Sequence, residues 1–222
     1  MKQQLAFDLP ANVSLGPDDF FVSVANAKAY VMIMAPESWI ESKLAIIGPP
    51  GSGKSHLARV FQHQRDALVF SADALDSDMP LPNFPVVIED AERITPDGEE
   101  ALFHIHNHMK QRRLPLLLTS SLAPGRWPID LPDLASRMQA TSTVQIDDPD
   151  DRLLAAVLMK QFADRQLMPK PHVITYIASH IERSFAAASD IVNRMDSEAL
   201  YNGARLNIPL ARRLLDIKDD SE

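Results

Sequence analysis

The octapeptide GPPGSGKS, residues 48–55, restricts the fold of this chain more than any other stretch. It matches G-x-x-x-x-G-K-[ST] in full, and it lies between an apolar run, KLAIIG (43–48), and a segment of helical spacing containing HLARVF. A Gly-rich turn can wrap a phosphate chain with its backbone N–H groups only where no Cβ intrudes, and a helix beginning at the turn adds a favourable dipole. Gly48, Pro49, Pro50, Gly51, Ser52 and Gly53 therefore form the candidate cradle. Lys54 is placed to reach the β and γ phosphates and Ser55 to hold Mg²⁺.

That loop demands a strand before it and a helix after it, and the surrounding sequence supplies more of both. Five short apolar runs read as strands: 43–48, ALVFS (67–71), PVVIED (85–90), LPLLLTS (114–120) and STVQID (142–147). Each is nearly continuous, as expected for strands covered on both faces. Between them, Leu57, Val60 and Phe61 share a helical face over 54–64, as do Leu102, Ile105 and Met109 over 96–111. Strands alternating with helices imply a parallel α/β sheet. After DDPDD (147–151) the strands stop, and helical segments follow at 152–166, 170–181, 185–204 and 209–217. The expected organisation is an N-terminal extended peptide (1–15), an α/β nucleotide-binding domain (16–149) and a small helical domain (150–222).

The strand PVVIED ends in carboxylates beside the loop. Glu89 is the candidate for the Mg²⁺ or water-shell role and Asp90 for orienting water; many ATPases have Asp before Glu, so slow hydrolysis is expected here. His104, His106 and His108 suggest a metal cluster, but the run lacks the Glu of H-E-x-x-H and is read as part of an ordinary helix. The net charge is −8, with 30 acidic against 22 basic residues and no cysteine. The scattered basic residues weigh against strong direct DNA binding, and the absent thiols remove disulfides, thiolate metal sites and Cys nucleophiles. No signal-like start and no run of about 18 apolar residues is present, so no membrane association and a cytoplasmic setting are expected.

The ordered series of motifs resembles the AAA+ family, and within it the branch around the replication initiator DnaA. FVSVANAKA (21–29) is similar to the segment preceding the phosphate loop in that branch, GSGKSHL to its GxGKTHL, EEALFHIHN (99–107) to the helix after Walker B, and LLLTSSLAP (116–124) to sensor 1. LPDLASRM (131–138) is similar to the box that carries the arginine finger. The resemblance extends from about residue 20 to the last helix. It implies bound ADP or ATP with Mg²⁺, with His56 beside the loop and Phe21 and Val22 lining the adenine side. It also implies that Arg137 acts in trans on the γ phosphate of a neighbouring subunit. Two departures stand out. Ser121 replaces the usual Asp of sensor 1, and Ala186 stands where the sensor 2 Arg is expected, with Arg183, one turn earlier on the same helix face, as its substitute.

Shorter members of this branch join the replicative sliding clamp (beta) to ATP-bound DnaA and promote hydrolysis of DnaA's ATP. The resemblance implies the same partners here, with a homodimer left open. The chain ends in an acidic DIKDDSE without a helix-turn-helix, which favours such a regulator over an initiator. Gln4, Leu5, Phe7 and Leu9 of QQLAFDLP (3–10) fit the extended clamp-binding pattern. The alternatives are an autonomous ATPase of helicase-loader type, a P-loop kinase, and a pure scaffold with a degenerate nucleotide pocket. A kinase would need lid arginines that are not evident, and a loader would need basic and aromatic nucleic-acid contacts.

Overall fold

The structure, a computed structural model, describes residues 20–215. The peptide carrying Gln4, Leu5, Phe7 and Leu9 lies outside them. The described residues divide into two compact units: Asn26–Asp147, and residues 148–215 grouped with 20–25. The expected start of the α/β domain at residue 16 lies outside the described residues.

The first unit comprises α1 (Ala27–Met34), β1 (Lys43–Ile47), α2 (Lys54–Arg65), β2 (Leu68–Ser71), β3 (Val86–Glu89), α3 (Pro96–Arg112), β4 (Leu116–Ser120), α4 (Pro132–Gln139) and β5 (Ser142–Gln145). All strand pairs are parallel, in the order β2-β3-β4-β1-β5. The register aligns Ile47 with Ser120, so β1 and β4 end together where the phosphate loop begins. The central strands β1, β3 and β4 are buried on both faces, as their continuous apolar runs require. The edge strands depart from that expectation. In β2, Leu68 is exposed, and β5 buries Val144 between the exposed Thr143 and Gln145, since an edge strand has a partner on one side only.

Leu102, Ile105 and Met109 of α3 pack with Val86, Ile88, Leu116 and Leu118 in one core. Leu57, Val60 and Phe61 of α2 are also buried, as their shared helical face predicts. Trp39 stacks on Phe61 with ring centroids 5.3 Å apart and donates its indole N–H to Met32 O at 2.7 Å. That contact fastens the link between α1 and β1 to α2.

The second unit contains α5 (Asp151–Asp164), α6 (Pro171–His180), α7 (Phe185–Asn202) and α8 (Ile208–Leu214) around a core that includes Leu158, Phe162, Ile177, Ile191 and Met195. Local signals set its helix ends. Asp150 accepts from Leu153 N–H at 2.8 Å, Ser184 from Ala187 N–H at 3.1 Å and Asn207 from Leu210 N–H at 3.0 Å. Helix α7 stops at Gly203, whose φ of 59° suits a left-handed cap. Among the described residues no helix is long and apolar enough to cross a membrane.

Candidate nucleotide site

The loop after β1 closes on itself and on β4. Gly48 N–H donates to Ser120 O at 3.1 Å, and Ser52 N–H to Pro49 O at 3.1 Å. A Cβ at Gly48 would stand 2.7 Å from Ser52 Oγ and 3.2 Å from Ile146 Cβ, so any larger residue would push the Ser52 hydroxyl aside and crowd Ile146. Gly53 caps α2 at a φ of 93°, in the left-handed region. Lys54 is 8% exposed, and its ammonium donates to Gly48 O at 2.8 Å and Pro49 O at 3.1 Å. Ser55 is exposed at the second position of α2, and His56 follows it, half-buried.

Burial lowers the pKa of the Lys54 ammonium below the usual lysine value, while the charges of Glu92, Asp90 and Glu89 oppose that shift. The three acids thus favour the charged form of the loop lysine against its burial. Glu89 ends β3 with Oε1 buried and unpartnered. Asp90 turns the chain through a φ of 53°, a conformation Asp tolerates better than most residues, and its N–H donates to Thr119 Oγ1 at 3.2 Å. The third acid, Glu92, is absent from the sequence-based assignment. Its Oε1 accepts the Ser121 N–H at 2.8 Å and the Ser121 hydroxyl, while its Oε2 is buried and unpartnered. Burial works to raise its pKa, but hydrogen bonds from Ser121, from its own backbone and from Ser120 together outweigh it and hold the carboxyl below its ordinary value.

Trp127 braces the turn that presents Ser121, donating its indole N–H to Ser120 Oγ and Leu122 O, both at 2.9 Å. These residues fit a phosphate chain and a divalent cation. Ser52 Oγ and Glu89 Oε1 are buried without partners, and Ser55 offers a hydroxyl at the helix start.

Arg137 lies elsewhere. It is half-buried in the last turn of α4, with its guanidinium carbon 5.2 Å from the Phe103 ring centroid and its Nε buried without a partner. Its carbonyl accepts from the Lys43 ammonium at 3.1 Å and from Thr141 Oγ1 at 3.1 Å. Lys43 opens β1, whereas the phosphate loop follows its other end. Five residues at about 3.3 Å each separate the two ends by about 13 Å.

A buried polar cluster supports that end of the sheet. Lys43, 2% exposed, also contacts Glu41 Oε2 at 3.2 Å and donates to His106 Nε2 at 3.1 Å. Burial, reinforced by the charge of Lys43, pushes His106 down to about 4. The imidazole is therefore neutral and accepts at Nε2, with the tautomer assigned from that bond. Glu41 is held at about 2, chiefly by Lys110 at 2.5 Å and then by Lys43. Across the unit, Glu99 is 5% exposed and accepts from the backbone N–H groups of Asp130 and Leu131, both its bonds to Asp130 being 3.0 Å and the one to Leu131 2.8 Å. It thereby satisfies the start of α4, the helix bearing Arg137.

The three histidines do not converge. His106 is buried against Lys43, while His104 is exposed and pairs with Glu100 at 3.8 Å. Arg183 corrects the expectation of a shared face with Ala186: Ser184 caps α7, so Arg183 precedes the helix instead of lying one turn back on it. Its guanidinium pairs with Asp151, with contacts of 2.6 and 2.8 Å. In the same unit Val22 is exposed and Phe21 half-buried.

No family model matches this sequence. A curated relative, the chromosomal replication initiator protein DnaA of Tropheryma whipplei, is 25% identical over 120 residues, 54% of this chain and 25% of the initiator. The match thus spans about a quarter of that relative's length. Domain III of the Thermotoga maritima replication initiation protein DnaA superposes with a TM-score of 0.68 at 15% identity, covering 93% of this chain and 98% of that one. AMPPCP-bound DnaA from Aquifex aeolicus gives a TM-score of 0.60 at 18% identity, covering 87% and 68%. The chain shares the fold of these DnaA structures: a five-stranded parallel sheet flanked by helices and followed by a helical unit.

Proposed function

We propose that this chain is an Hda-type regulator of chromosome replication initiation. It binds ADP or ATP with Mg²⁺ at residues 48–55 and delivers Arg137 to the ATP of DnaA. The observation that carries the reading is the separation within the α/β unit: Arg137 is tied to the start of β1 and the phosphate loop follows the end of that strand. That separation from its own loop supports a role for the guanidinium toward a partner docked on that side. Charge stabilisation by an arginine supplied in trans is worth about 10³ to 10⁵ in rate.

Lys54, Ser55 and Glu89 are the residues that would hold the nucleotide's phosphates and Mg²⁺, and Asp90 would orient water. Gln4, Leu5, Phe7 and Leu9 would tether the chain to the sliding clamp. The test is ATP turnover by DnaA with the clamp on DNA, with and without this protein. Stimulation that disappears in Arg137→Ala while clamp binding persists is expected; no stimulation by the wild-type chain refutes the reading. Deleting residues 1–10 should abolish clamp binding and leave ADP affinity intact.

The acids near Lys54 favour a second reading, an autonomous ATPase of helicase-loader type. The same assay without DnaA distinguishes it by the chain's own phosphate release.

A further inference from the structure

The α/β unit carries a groove that the proposed function leaves unused. It lies between the first half of α3 and the turn that leads into α4, and its volume of about 640 Å³ is in the range of preformed ligand sites. Phe103, half-buried, and Leu131, 37% exposed, give it an apolar surface, to which the first residues of the two helices, Pro96 and Pro132, add. Apolar side chains left open to water in a concave site gain by being covered. Buried Glu99 joins the two walls before any ligand arrives: it stands on α3 and accepts the backbone N–H groups of Asp130 and Leu131 on the facing turn. A groove held in shape this way spares its ligand the cost of ordering it.

The charge of the groove has one sign. Glu100 and Asp130 line it with exposed carboxylates, and among the described residues no lysine or arginine does. Arg137 meets the Phe103 ring, with its guanidinium carbon 5.2 Å from the centroid, without lining the groove. Acids in the first turn of a helix have a local reason, the helix dipole, and Asp97 and Asp133 fit it. Glu100 lies beyond the first turn of α3 and Asp130 lies before α4, so that reason does not reach them.

We propose that this groove is a docking surface for a short peptide segment of a partner protein, in which one or two apolar side chains are flanked by lysines or arginines. The apolar side chains cover Phe103 and Leu131, and the flanking cations meet Glu100 and Asp130. Such complementarity selects the partner by charge as well as by apolar contact, and it repels an anionic segment or a nucleic acid backbone. None of the lining residues belongs to the phosphate loop or its acids, so the proposal stands whether or not residues 48–55 bind nucleotide.

The test titrates the full chain into three fluorescein-labelled hexapeptides, KKLFKK, KKGSKK and EELFEE, and reads anisotropy at about 50 mM and about 300 mM NaCl. KKLFKK should bind at least about tenfold more tightly than either of the others, and about 3- to 10-fold more weakly at the higher salt. Glu100→Gln combined with Asp130→Asn should weaken it about 5- to 10-fold at low salt and flatten the salt dependence. Leu131→Ala should weaken it about 3- to 10-fold at both salt concentrations. All three positions are exposed, and thermal melting checks that the variants fold; should one of them unfold, the other decides. No saturable binding of KKLFKK below about 1 mM would overturn the proposal. Equal binding of KKGSKK or of EELFEE would do so as well, since charge alone or apolar character alone would then suffice. KKLFKK binding that neither variant alters would place the peptide elsewhere and overturn it too.

Discussion

Replacing Glu41 by glutamine isolates the electrostatics of the buried lysine that opens the central strand. Glu41 is the only anion in contact with Lys43 among the described residues, and it also meets Lys110. Glutamate and glutamine share the left-handed conformation at this position, where φ is 53°, so backbone strain cancels in the comparison. The Lys110 pair is exposed on both sides and contributes about 0.2–1 kcal/mol. The Lys43 pair contributes more, because the lysine side chain is only 3% exposed. Loss of a partner from a fully buried pair costs about 3–5 kcal/mol, and the 39% exposure of Glu41 screens that figure downward. The sum points to a destabilisation of about 1.5–3 kcal/mol at neutral pH.

Burial lowers the Lys43 pKa and Glu41 opposes that shift, so removing Glu41 lowers it further. As pH rises, Lys43 loses its charge and the deficit of the variant should shrink toward the Lys110 contribution alone. In the wild type the Glu41 carboxyl is held at about 2. Its contribution is present above the unfolded carboxylate value and is lost as pH falls toward 2, so the two proteins should also converge in acid. Urea unfolding followed by tryptophan fluorescence reports the α/β unit specifically, since both tryptophans, Trp39 and Trp127, belong to it. A loss under 0.5 kcal/mol at pH 7, or one that is the same from pH 7 to about 10, would refute the reasoning.

Other expectations follow from the same contacts. Lys54→Met should weaken ADP binding by about 10- to 100-fold, the worth of a charged hydrogen bond to phosphate, with little loss of stability because the ammonium is already desolvated; equilibrium titration and thermal melting check both parts. Arg183→Ala should cost less than about 1 kcal/mol, because its guanidinium is 68% exposed. A fall in ADP affinity is expected if Arg183 takes the sensor 2 role, and unchanged affinity removes it from the site. For His106, the depressed value of about 4 means that the unfolded chain binds more protons between that pH and the ordinary 6.5. Stability should therefore decline as pH falls through this window and level off below it, and the imidazole should titrate near 4 by NMR.

The parts of this protein that the sequence determined are those encoded over a few residues. Gly48, Gly53 and Lys54 mark a strand, a turn and a helix start through requirements local to the backbone. Helical spacing placed Leu102, Ile105 and Met109 on the buried face of α3. The strand runs gave the class of fold but not the order of the sheet, so the exposure of β2 and β5 was not legible. Partners distant in the chain were likewise decided by tertiary structure alone. Ser121 meets Glu92 across 29 residues, Lys43 meets Arg137 across 94, and Glu99 caps α4 from another helix. No periodicity encodes such pairs. They arise because packing brings polar groups into the interior, where each buried charge or N–H must find a partner wherever the chain happens to supply one.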